Sequence, residues 1–196
     1  MPAPIRNALL LLAAAACLAA CGGSPPPARA TSEFTPEHAE VFEDSVDFVD
    51  DPTVLEGRWR EDWSRDLDRR VGFSDLIALV KVSYLNTDTN LERVSTFRIV
   101  VSVERSLYGE APEEEVTLIV REGEPGYGTV VGNERRILDQ AFVAYIKWYQ
   151  ADASTVLPHW HLAPATEPVV RRTEYLIERR ADVPDDTRTI EVVHQE

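Results

Sequence analysis

The chain has 196 residues, 34 of them acidic and 20 basic, and a net charge of −14 at pH 7. That balance disfavours nucleic acid and anionic lipid surfaces as partners. With 44% apolar residues, its length suits one domain standing on a hydrophobic core.

Residues 1–20, MPAPIRNALLLLAAAACLAA, hold one charge, Arg6, ahead of an unbroken apolar run from Leu9 to Ala16. The run is short for a bilayer-spanning helix and has the length of a signal-peptide core. It leads into LAAC, Leu18 to Cys21: a branched apolar residue, two small residues and a cysteine. This resembles the lipobox of bacterial lipoproteins. The resemblance implies diacylglyceryl transfer to Cys21, cleavage before it and acylation of the new amine. Cys17 fits less well, because Ala14 takes the place that Leu18 has for Cys21. The competing reading is an ordinary secretory signal cut near Ala20. Each buried methylene contributes about 0.8 kcal/mol, so two or three acyl chains hold a protein firmly at a membrane. Gly22 rather than aspartate follows the cysteine. By analogy with lipoprotein sorting in enteric bacteria, that implies the outer membrane. Cleavage removes Arg6 and no acid, leaving 176 residues with net charge −15. The one remaining cysteine is the lipidated one, so no intramolecular disulfide is expected.

Residues 21–53 are expected to form a tether. Gly22 to Pro36 is rich in proline, and at about 3 Å per residue it reaches several tens of ångströms. Residues 37–53 are acidic with scattered apolar positions, expected to dock loosely or stay mobile. The spacing of Leu55, Trp59, Trp63, Leu67 and Val71 predicts a helix over 54–71 with its tryptophans packed on the core. Glu61 with Arg65, and Asp66 with Arg70, are i,i+4 pairs on its other side. Strands are predicted at 74–85, apolar on both faces as in a central strand, at 94–109, 114–122 and 140–150, and at 158–164. A second helix is predicted over 166–180, with Thr166 as N-cap and Pro168 in its first turn. Residues 54–182 thus form the globular domain, residues 183–196 a polar tail, and no internal repeat is present.

The run DLIALVKV, TFRIVVSVERSLYG, EVTLIV, AFVAYIKWY and the final short strand resembles the OB-like barrel of netrin modules and tissue inhibitors of metalloproteinases. The fold class expected is α+β, mainly β: a small five-stranded OB-like β-barrel, residues 74–164, flanked by an N-terminal and a C-terminal helix. Those inhibitors chelate the protease's zinc with a free N-terminal cysteine braced by disulfides. Cys21, acylated and a tether away, departs from that pattern, so the inhibitory mechanism does not carry over.

His159 and His161 stand two apart around Trp160. On a strand they share one face, about 7 Å apart along the pleat, a spacing that zinc sites use. Zinc needs a third protein ligand, for which Asp139 or Glu167 are candidates. His38, in the acidic stretch, and His194, in the tail, are not expected to be held rigidly. The alternative is an edge strand with Trp160 in the core. The loop 121–136 carries four glycines without a P-loop or dinucleotide-binding spacing. It is expected to be a flexible hairpin loop, with Tyr127, Arg135 and Arg136 as contact candidates if it rims a binding face. No G-x-S-x-G occurs. The pairs Asp50-Asp51 and Asp185-Asp186 read as solvated loops.

The reading that follows is a cell-envelope lipoprotein. It is held in the membrane through Cys21 and acts as a non-enzymatic binding or assembly module for an envelope protein partner, with no catalytic residue and no cofactor. One alternative is a metal-assisted envelope hydrolase with zinc on His159 and His161. Another is an inhibitor of a secreted protease, which follows from the fold resemblance alone. Replacing Cys21 with serine is expected to move the protein out of the membrane fraction. A variant that stays there contradicts the lipid anchor.

Overall fold

The computed structural model describes residues 34–152 and 155–181. Cys21, the expected signal segment, His194 and the Asp185-Asp186 pair lie outside the described residues. The elements are α1 (Pro36–Ala39), β1 (Ser45–Val46), a 3-10 turn (Pro52–Val54), α2 (Gly57–Phe73), β2 (Leu76–Thr89), β3 (Ser95–Tyr108), β4 (Glu115–Arg121), α3 (Tyr127–Val130), α4 (Glu134–Ile137), β5 (Ala141–Gln150), β6 (Val156–Pro164) and α5 (Glu167–Ala181). The fold is α+β and mainly sheet. Six strands in the order β1-β6-β5-β2-β3-β4 make a curled half-barrel. Four antiparallel pairings in succession leave β4 and β6 running parallel, and they meet where Trp160 Nε1–H donates to the Ile119 carbonyl (3.1 Å). Register shifts in the β2–β3 pairing at Ile77/Ala78, Leu79/Val80 and Val82/Tyr84 mark bulges, which bend these long strands.

Alternation along the strands sorts the apolar residues into two cores. Ala78, Val80, Val82, Ile99, Val101, Leu118, Ile146, Trp160 and Leu162 fill the concave side. Ile77, Val143, Tyr145 and Ala163 point the other way, where Leu67 and Val71 of α2 and Val169 and Leu176 of α5 cover them. β2 lies between β5 and β3 and serves both cores, which is why its sequence is apolar on both faces.

Several expectations are corrected. The sheet has six strands, not five. The sixth is β1, which pairs in parallel with β6 through Ser45↔His161 and Val46↔Leu162. The stretch 37–53 is therefore part of the domain, with Val41, Phe42 and Val46 buried. Its apolar residues follow no single period because they serve a one-turn helix, a turn and a two-residue strand in quick succession. The stripe on α2 buries Leu67 and Val71 but leaves Trp59 77% exposed. Trp63 is half-buried, and its Nε1–H donates to Asp47 (3.1 Å). The loop 121–136 is not a bare hairpin loop: α3 and α4 drop Val130 and Ile137 into the concave core. Among the described residues no helix is long and apolar enough to cross a membrane.

Candidate functional site

The site begins with a turn that brings residue 44 against the outer edge of β6. Asp44 has φ 54°, a left-handed conformation that aspartate tolerates better than most side chains. Its N–H donates to the Trp160 carbonyl (3.0 Å). Its carboxyl accepts twice, at Oδ1 from the Trp160 N–H (2.9 Å) and at Oδ2 from His159 Nδ1 (2.8 Å). One aspartate thus satisfies both edge groups of Trp160 and orients the neighbouring imidazole. The turn is pinned from behind by α3. Val46 N–H donates to Thr129 Oγ1 (2.9 Å), which itself donates to the Gly126 carbonyl (2.7 Å). A Cβ on Gly126 would stand 2.2 Å from the Asp44 carbonyl oxygen and 2.3 Å from that of Glu43. Only glycine allows that approach.

A cleft of about 70 Å³ opens beside this pair. Ile119 and Arg121 of β4 line it, with Leu157, Pro158 and His159 of β6. Asp44, Glu124 and Tyr149 complete the lining. The His159 ring stacks on Tyr149 (4.4 Å between centroids) and on Phe34 (4.0 Å). Glu124 accepts the Arg121 N–H (2.6 Å). Asp44 is 8% exposed. Burial pushes its carboxyl above the usual carboxylate range, against the opposing pull of His159 and the Trp160 N–H. Burial, and then the charge of Asp44, also push the Tyr149 hydroxyl up.

His159 and His161 both point away from the Trp160 side of β6, as the strand period requires, but their surroundings differ. His161 is 5% exposed. Its Nδ1 shares a hydrogen bond with Ser45 Oγ (3.0 Å), and its Nε2 is buried without a partner among the described residues. Burial, and then the charge of Arg70, hold it well below the ordinary histidine value, so this ring stays neutral. His159 lines the cleft and His161 belongs to the interior. Among the described residues no group of three or more His, Cys, Asp or Glu side chains is gathered to hold a metal ion. Asp139 sits in the turn before β5 with φ 62°, and Glu167 opens α5. His38 is fixed, contrary to expectation. Its Nδ1 accepts the Thr35 N–H (3.0 Å), and its ring meets Phe73 edge-on at 4.8 Å.

The proposed contact loop divides. Tyr127 is half-buried and packs against the concave core beside Phe97 (5.3 Å). The Arg136 guanidinium lies 4.0 Å over the Phe48 ring, and Arg135 is exposed. Asp51 caps the 3-10 turn by accepting the Thr53 N–H. Sequence reasoning missed Asp44, Phe34, Ile119, Glu124 and Tyr149. Asp44 sits in an acidic run, and nothing local separates it from its neighbours; its partner is 115 residues away.

The neutral His161 has a consequence for acid stability. The unfolded chain takes up a proton as pH falls below about 6.5 and the folded chain does not. Its contribution to stability is therefore present above that pH and is lost between there and the lower folded value. The urea midpoint of the wild type is expected to fall from pH 7 to pH 5. His161→Gln is expected to flatten that slope. Equal slopes in the two proteins contradict the assignment.

No protein-family model, no curated protein and no solved structure matches this chain.

Proposed function

We propose that the chain is a lipid-anchored, non-enzymatic binding module of the cell envelope. In this reading it is held at the outer membrane through Cys21, and it recognises a protein partner at the seam where β4 faces β6. The observation that carries it is the cleft at that seam. Its volume, about 70 Å³, is far below the roughly 300–1,000 Å³ of small-molecule and cofactor pockets, and it suits a single side chain. Its lining mixes Ile119, Leu157 and the Tyr149 ring with the charges of Asp44, Arg121 and Glu124. That blend of apolar centre and polar rim is characteristic of protein–protein recognition surfaces. The OB-like description of the barrel draws support from the strand order β6-β5-β2-β3-β4 and from the parallel run of β4 and β6 across the seam. The anchor rests on LAAC and Cys21 in the sequence. Zinc on His159 and His161 together gains nothing from this site: one ring is oriented by Asp44 and the other is enclosed beside Ser45.

A photo-crosslinking residue placed at Leu157 in whole cells is expected to give a discrete protein adduct. The same residue at Leu91, fully exposed between β2 and β3, is expected to give none. No adduct from position 157, or equal adducts from both, contradicts the assignment of the seam.

A further inference from the structure

We propose that β4 is a docking edge for an extended, cationic segment of the partner, which adds as a further strand and sets one side chain at the cleft. This rests on the binding-module reading and names the partner's chemistry.

The Glu114 carbonyl accepts the Val103 N–H (2.8 Å), so even-numbered residues of β4 turn their backbone groups toward β3. Odd-numbered residues turn theirs outward. Two of those outward groups are taken within the chain: the Ile119 carbonyl accepts Trp160 Nε1–H, and the Arg121 N–H donates to Glu124. Glu115, Thr117 and the Ile119 N–H remain, with no backbone partner among the described residues. The facing edge of β6 cannot take a strand. Pro158 lacks an N–H, and both edge groups of Trp160 are held by Asp44. An incoming strand therefore pairs with β4. Ile119 lines the cleft, so the residue of that strand beside the Ile119 N–H stands at the cleft.

Charge selects the occupant. Glu110, Glu113, Glu114 and Glu115 precede or open the strand and Glu122 and Glu124 follow it, against Arg121 alone. A second copy of this edge would bring glutamates against glutamates, which disfavours self-pairing. A segment rich in lysine or arginine meets the opposite sign, and strand addition supplies the main-chain hydrogen bonds.

The test uses the intact chain and a fluorescent peptide of alternating lysine and valine. The controls are its glutamate–valine counterpart and a lysine–valine peptide N-methylated at alternate amides. The lysine peptide is expected to bind at least about tenfold more tightly than either control, and to slow hydrogen exchange at the Thr117 and Ile119 amides but not in the β2–β3 hairpin. Thr117→Pro removes an outward donor and no β3 ladder bond, and is expected to weaken binding about tenfold at unchanged melting temperature. If the N-methylated peptide binds equally, or the two amides stay unprotected, the contact is ionic only and strand docking is overturned. If no peptide binds while Leu157 still crosslinks, this inference falls and the binding-module reading stands. If neither occurs, both fall.

Discussion

The Asp44 carboxyl is the constraint on which the rest of the site depends. It accepts the outward N–H of Trp160 and the Nδ1–H of His159, and the residue's own N–H completes a two-bond link to the Trp160 carbonyl. This link, with the two-residue parallel pairing of β1, joins the N-terminal segment to β6. A buried, hydrogen-bonded carboxyl does not slide as an apolar contact can, because any shift leaves a buried donor without an acceptor. Gly126 then fixes how closely α3 approaches the turn. The clamp also occupies the outer edge of β6 at Trp160, beside the cleft that faces β4.

Trp160 links this edge to the concave core. Its backbone belongs to the Asp44 clamp and its ring is buried on the opposite side, donating across the seam to Ile119. Its neighbours on either side face outward: His159 to the cleft, and His161 to the core covered by α2 and α5. The strand's period of two sorts three adjacent residues into three environments. Two of these hold an imidazole with one hydrogen bond at Nδ1, to Asp44 or to Ser45, and the third is the anchor of the half-barrel. The strongly acidic surface fits the same picture. Its glutamates flank the outer edge of β4, where like charge opposes self-association.

The strands were legible because each alternates over several residues, and the observed β2 to β6 lie close to the stretches that alternation marks. The two longer helices were legible from their stripes. What sequence could not supply is pairing at a distance. β1 is two residues long, too short for any period. The burial of Val41 and Phe42 depends on α1 turning them onto α2 and α5. Trp59 keeps the helical spacing but stays exposed, so the stripe overstates the contact. The shared face of His159 and His161 follows from strand geometry, whereas their different fates depend on Asp44 and Ser45, more than a hundred residues away in sequence.

The most direct test of this account is amide hydrogen exchange on the intact chain, with Asp44→Ala beside the wild type. The clamp predicts that the Trp160 amide loses protection by about 10- to 100-fold, the cost of one hydrogen bond to a charged group. Val46 and Asp47 should loosen with it, while the β2–β3 ladder stays unchanged. A Trp160 amide equally protected in both proteins would contradict the account, because β6 would then be held at the seam by something other than Asp44.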